Sequence, residues 1–101
     1  MTDSSLTVVN NEAAEQFEMH VDGLLSLLAY KRSGDCIIFT HTEVPAALEG
    51  RGIASVLART ALDDARARQL LVVPLCPFVR AYIERHPEYR ALVTAHASPE
   101  A

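Results

Sequence analysis

The chain has 101 residues, half of them hydrophobic and 22% charged, with a net charge of −4. That length and composition fit a single core-forming domain spanning residues 1–101 and exclude global disorder. The acidic balance excludes broad nucleic-acid binding, which needs a basic surface, and no stretch reaches the ~20 apolar residues of a membrane span.

The opening "MTDSSLTVVNNEAAEQ" has neither a basic start nor an apolar run long enough for a signal peptide. The expectation is a cytoplasmic protein whose two cysteines, Cys36 and Cys76, stay reduced. The polar ends, Met1–Ser5 and Ala97–Ala101, are expected to fray. "LTVVN" (Leu6–Asn10) predicts a short strand and "NNEAAE" a turn. "QFEMHV" (Gln16–Val21) alternates, with Phe17, Met19 and Val21 on one face, and predicts a second strand. Asp22-Gly23 is a hairpin-turn signal.

"LLSLLAYKR" (Leu24–Arg32) reads two ways. Leu24, Leu27, Leu28 and Lys31 fit helical spacing, whereas Leu25, Leu27 and Ala29 fit one face of a strand. "CIIFTHTEV" (Cys36–Val44), rich in β-branched residues and closed by Pro45, predicts a strand. From Gly52 to Gln69, Ile53, Val56, Leu57 and Ala61 recur at helical spacing. "LLVVPL" (Leu70–Leu75) predicts a buried strand. "CPFVRAYIERH" predicts a helix with Pro77 in its first turn and a buried stripe of Phe78, Val79, Tyr82 and Ile83. "HPEYRALV" restarts as a short helix. Strand, helix and strand from residue 36 to 75 make a βαβ unit with parallel strands, and ligands of such units bind beyond the carboxyl ends of the strands.

Two stretches follow those ends. In "EGRGIA", glycines could let a phosphate reach the free N–H groups and positive dipole of a helix start. Gly50, Arg51, Gly52, Ile53 and Ala54 would then cradle a pyrophosphate. An ordinary glycine-containing loop is the competing reading. A Walker loop is absent, and Ser55 breaks the dinucleotide fingerprint. In "PLCPF", Cys76 falls at the N-cap of the next helix, where unpaired N–H groups favour a nucleophilic thiolate. A small buried hydrophobe is the equal alternative. By alternation His41 and Glu43 share one face of their strand, where they could deprotonate an amine, and Thr40, Thr42 and Val44 share the other. An exposed polar strand face is the plainer reading. His86 falls at a helix junction. The four histidines show no metal-ligand spacing, so no metal is expected.

"THTEVPAALEGRGIASVLARTALDDAR" followed by "VVPLCPFVRAYIERHPEY" resembles the small single-domain branch of the GNAT acetyltransferases. The resemblance covers roughly residues 28–93. Gly52 and Ala54 match the family's R/Q-x-x-G-x-G/A motif, and Glu49 stands at its first position, as is usual in the small branch. The resemblance implies a compact α/β (α+β) fold with a mostly antiparallel sheet and one parallel βαβ unit carrying the coenzyme A site. It implies that Leu24–Lys31 is a strand. Backbone N–H groups from Arg51 to Ala54 are expected to bind the CoA pyrophosphate, with Gly50 ahead of them. Strand 37–44, with Thr42 and Val44, is expected beside the pantetheine, and Cys76 near the thioester. Only "NNEAAE" occupies the first gap, where larger relatives have two helices, so the acceptor side is expected to be shallow and open.

The implied activity is transfer of an acetyl group from acetyl-CoA to an unidentified amine by a monomer or weak dimer, with no nucleic acid or membrane partner. His41 or Glu43 would take the proton, or Cys76 would carry the acetyl group. On either route Cys76, rather than Cys36, is expected to be the readily alkylated thiol. The alternatives are a CoA-binding or protein-interaction module with little catalysis, and a nucleotide-binding βαβ domain.

Overall fold

A computed structural model of the protein describes residues 7–97, with side chains described through residue 93. Five strands form one sheet in chain order: β1 (Val9–Asn11), β2 (Gln16–Val21), β3 (Leu24–Ser33), β4 (Cys36–Glu43) and β5 (Leu71–Pro74). The first three pairings are antiparallel and β4–β5 is parallel. Helix α1 (Ile53–Ala67) crosses between the parallel strands, and α2 (Pro77–Arg85) and α3 (Arg90–Ala97) follow β5. This is the α+β architecture expected.

The β2–β3 hairpin shows how the sequence fixes register. Asp22 and Gly23 both have positive φ, 54° and 76°, the two-residue turn whose twist matches its flanking strands. Val21 then pairs with Leu24, and Glu18 with Leu27. Pairing on both sides resolves the ambiguous stretch as strand β3. Ser26, Leu28 and Tyr30 are buried at a period of two.

Three expectations are corrected in detail. The first strand runs Val9–Asn11, with Thr7 and Val8 outside it; Leu6, predicted to begin it, and the predicted frayed start Met1–Ser5 lie outside the described residues. Ala97 closes α3 instead of fraying, and residues 98–101 lie outside the description. Thr40 does not simply share a face with Thr42, because β4 carries a bulge. Tyr30 pairs with Phe39 and Ala29 with His41, so Thr40 is an extra residue whose hydroxyl donates to Ala29 O at 3.3 Å. The extra residue shifts the phase of alternation. Phe39, opposite Tyr30, and Thr42, opposite Leu28, therefore both face the core side. His41 and Glu43 turn to the other side.

One sheet face is packed. Phe17, Met19, Val21, Leu28, Tyr30, Ile37, Phe39 and Val72 bury against Leu57, Ala61, Leu62 and Ala65 of α1 and Val79, Tyr82 and Ile83 of α2. Full burial of each large apolar side chain contributes about 1.5–3 kcal/mol. The opposite face stays half-buried or exposed on every strand, from Gln16, Glu18 and His20 to Leu71 and Val73.

Tyr89 locks the two layers of helix together. Its hydroxyl donates to Asp63 Oδ1 at 2.6 Å, and the Arg66 guanidinium lies 5.1 Å from its ring centroid. His86 ends α2 where the sequence placed it. Its Nδ1 lies 2.9 Å from Tyr82 O, and its ring stacks on Tyr82 at 4.0 Å.

Candidate active site

β5 stops at Pro74, opposite Phe39. The last link between the parallel strands is the Cys76 N–H, which donates to Phe39 O at 2.9 Å. From Thr40 to Glu43 the β5-facing edge of β4 has no strand partner in the sheet. The bulge and the departure of the chain into α2 thus split the sheet at its parallel seam. An unpaired strand edge can hydrogen-bond an extended amide-containing chain.

The start of α1 opens beside this split. Gly50 and Gly52 take positive φ, 87° and 78°, which glycine adopts without steric cost. A Cβ at either position would meet nothing within 4 Å, so this backbone faces open space. No side chain caps the helix at Gly52. The first helical bond runs from Val56 N–H to Gly52 O, 3.1 Å. The N–H groups of Ile53, Ala54 and Ser55 therefore precede any intrahelical acceptor, at the positive end of a fifteen-residue dipole. They border a cleft of about 230 Å³ lined by Val44, Leu48, Glu49, Gly50, Gly52, Ile53, Ala54, Ser55 and Phe78. Bare amides at one end and apolar walls beyond match a phosphate joined to an uncharged arm.

Of the residues singled out in the sequence, Val44, Gly50, Gly52, Ile53 and Ala54 meet in that cleft. Arg51 instead turns its side chain away, donating from Nη1 to Asp22 Oδ2 at 2.9 Å, with both groups exposed. It ties the glycine loop to the β2–β3 turn.

Cys76 is the N-cap residue of α2, as its place before Pro77 predicted. Its thiol, however, is not accessible. The residue is 2% exposed, and its Sγ lies 3.2 Å from the Thr42 hydroxyl in a hydrogen bond. The N-cap position fixes the backbone, whereas Sγ points inward to the split rather than to solvent. Cys36 begins β4 half-buried, and no disulfide joins the two.

His41 and Glu43 do come together on the outer face. His41 Nε2 lies 3.0 Å from Glu43 Oε2, with the side chains 55% and 64% exposed. So exposed a pair contributes little stability. With the proton on Nε2 donated to the carboxylate, Nδ1 is left as a base. Among the described residues, no group of three or more His, Cys, Asp or Glu could hold a metal ion, and no helix is long and apolar enough to cross a membrane.

Sequence reasoning missed Phe78 and Leu48 as cleft walls and Asp22 as the partner of Arg51. Phe78 had a usable signal. It follows Pro77 at the start of the helix that leaves the βαβ unit; predicted in the buried stripe with Val79, Tyr82 and Ile83, it is instead half-buried, because its ring lines the cleft.

Comparisons with known proteins bear on the family and the fold. Residues 16–92 match the family described as GCN5-related N-acetyl-transferase. Protein NATD1 of Xenopus tropicalis is 32% identical over 87 residues, spanning 83% of this chain and 80% of the frog protein. Human Protein NATD1 is 33% identical over 85 residues, spanning 81% and 75%. A GCN5-like protein from Staphylococcus aureus, solved by NMR, superposes with a TM-score of 0.67 over 86% of both chains at 24% identity, which bears on fold alone.

Proposed function

The chain belongs to the GCN5-related N-acetyltransferase family, an acetyltransferase by class, and from that premise we propose that it moves an acetyl group from acetyl-CoA to an amine. The observation that carries this reading is the uncapped start of α1 opening beside the split between β4 and β5. The N–H groups of residues 52–55 would hold the pyrophosphate. Val44, Leu48 and Phe78 would wall the pantetheine arm, whose amides would bond the free edge of β4. Cys76 and Thr42 would line the apex of the split, where the chain's backbone closes between Phe39 and Cys76.

The thioester supplies an activated acetyl group. As the amine nitrogen bonds to its carbonyl carbon, the carbon–sulfur bond breaks, the thiol leaves, and the amine gives up one proton. An alkylamine near pKa 10 is mostly protonated at neutral pH, so a base must accept a proton. His41 Nδ1 is that base, with Glu43 holding the ring and offsetting the charge it gains. The buried Cys76 thiol favours direct transfer over an acetyl-cysteine.

The test combines calorimetry with CoA and thiol release from acetyl-CoA over a panel of amines. His41→Ala should lower kcat about 100-fold, the scale of a lost general base, while CoA affinity holds. Acetylation of Cys76 in single turnover would overturn the direct route. A protein that binds CoA but releases no thiol with any amine would point instead to a CoA-binding or interaction module, a reading that the open acceptor side favours.

A further inference from the structure

The loop between β4 and α1 is pinned at its ends and bare in its middle. Leu48 and Ile53 are buried, 1% and 3% exposed, whereas Glu49, Gly50, Arg51 and Gly52 between them are exposed. Glycine frees a backbone to take many conformations, and two of these four residues are glycine. Free amides bind a ligand well only where they already stand in place, because ordering them on binding subtracts from the affinity. Out of this bare middle the Arg51 side chain reaches Asp22, donating from Nη1 to Oδ2 at 2.9 Å.

Asp22 is a fixed anchor. It is the first residue of the β2–β3 turn, with φ 54°, between the paired residues Val21 and Leu24. Val21 is buried, so the hairpin register sets where the carboxylate stands. The turn itself does not call for that charge. Asparagine takes the same left-handed backbone, and Asn-Gly forms such a turn at least as well. What the carboxylate adds is the pair with Arg51. With the two side chains 52% and 64% exposed, that pair contributes little to global stability. Its place gives it a use: it joins the hairpin tip to the loop that leads into the open amides of Ile53, Ala54 and Ser55.

We propose that Asp22 is a positioning residue of the donor site. It holds Arg51, and through it the Gly50–Gly52 backbone, so that the amides at the start of α1 stand ready for a diphosphate. The inference rests on the acetyl-CoA reading. It makes Arg51 a strut rather than a phosphate ligand, and it gives a hairpin turn 29 residues earlier in the chain a part in donor binding. Simple electrostatics has the opposite sign. A carboxylate beside the loop of an anion site repels the anion, and one that occupies an arginine withholds a cation. On either count removal of the Asp22 charge would tighten CoA. The direction of that one change separates strut from phosphate ligand.

The test is calorimetry with CoA and with pantetheine, which carries no phosphate, on the wild type, Asp22→Asn, Arg51→Ala and the double variant. Each single variant should lose about threefold in CoA affinity, the scale of an exposed ion pair. The double variant should lose no more than either, because both act through one contact. Pantetheine should bind all of them alike. In the ligand-free proteins, NMR order parameters of the Gly50–Gly52 amides should fall in the variants. Asparagine keeps the turn, and unshifted Val21 and Leu24 amides with matched thermal melts check that it does. Tighter CoA binding by Asp22→Asn would overturn the proposal, as would unchanged affinity, additive losses or an equal loss for pantetheine. A wild type that does not take CoA refutes the acetyl-CoA reading. The order parameters then decide the strut by themselves, standing if they fall in the variants and refuted if they do not.

Discussion

Leu27 and Leu28 are adjacent and chemically identical, yet they live in different solvents. Leu28 is 1% exposed among Phe17, Phe39 and Leu57, whereas Leu27 lies half-buried between two carboxylates. The strand's period of two makes the difference, and the helices decide which face counts. α1 and α2 lie on the Leu28 side, and Leu27 remains half-buried on the other. A chain of this size has apolar surface for one core. Stability is therefore concentrated on one face, and the other stays half-buried or exposed. The bulge at Thr40 connects the two, because it turns Thr42 inward to Cys76 and His41 outward to the open face.

The largest effect should come from breaking the closed face. Phe39 is fully buried where β3, β4 and α1 meet, with its ring edge-on to Tyr30 at 6.4 Å. Phe39→Ala should cost about 3–5 kcal/mol by denaturant unfolding. A loss under about 1 kcal/mol would mean that the faces are not divided as described.

Next comes the seam at Tyr89. Burial, then its bond to Asp63, pushes its pKa up to about 12. The folded state thus favours the neutral phenol. That contribution is complete below the unfolded value near 10 and is lost as pH rises through about 12. Tyr89→Phe should cost about 1–3 kcal/mol at neutral pH, as expected for a bond to a charged acceptor. It should also remove the steep part of the stability decline between those pH values. An unchanged alkaline profile in pH-dependent melts would refute the linkage.

Gly52→Val probes the mouth of the split. The new Cβ meets no atom, but valine at φ 78° is strained by ~1–2 kcal/mol, and its methyls occupy the approach to the free amides. CoA affinity should fall about tenfold or more in calorimetry, with a Tm drop of only a few degrees. Gly52→Ala, with less bulk, should fall between. Unchanged CoA affinity in a folded Gly52→Val protein would sink the phosphate-cradle reading.

The thiols give a smaller, kinetic contrast. Cys36 is half-buried at the start of β4, and Cys76 is 2% exposed. Iodoacetamide should therefore label Cys36 first in the native protein, the reverse of what helix-start electrostatics alone suggested. Faster labelling of Cys76, read by mass spectrometry, would show that the split opens to solvent more than its packing implies.

These cases mark what the sequence can reveal. The βαβ unit, the Asp22-Gly23 turn and the glycine loop were legible, because periodicity and turn chemistry are local. Residues 24–33 were not legible from periodicity, since leucine serves helix and strand alike; the family resemblance implied a strand at Leu24–Lys31, and pairing on both sides makes it one. The bulge left no trace, because Thr40 and His41 carry no glycine or other backbone signal. The burial of Cys76 and the Arg51–Asp22 pair depend on where distant segments meet. Motifs pointed to the candidate site, but they could not say which way its side chains point.

The smallest expected effect is on the open face. Leu27→Ser removes an apolar side chain from the sheet, but Leu27 is only half-buried, so its loss opens no enclosed cavity. Serine's weaker strand preference and the lost cross-strand contact cost a few tenths of a kcal/mol each. The measured loss should stay under about 1 kcal/mol. Leu28→Ser, one residue on, buries a hydroxyl and opens a cavity, and should cost several times more. Ser26 already sits on that inner face, 0% exposed and with its hydroxyl unpaired, so a second such hydroxyl would add to a penalty the core already carries. Equal losses at Leu27 and Leu28 would mean that the outer face is covered in solution, and self-association measured at the same concentrations would then identify the cover as a second copy.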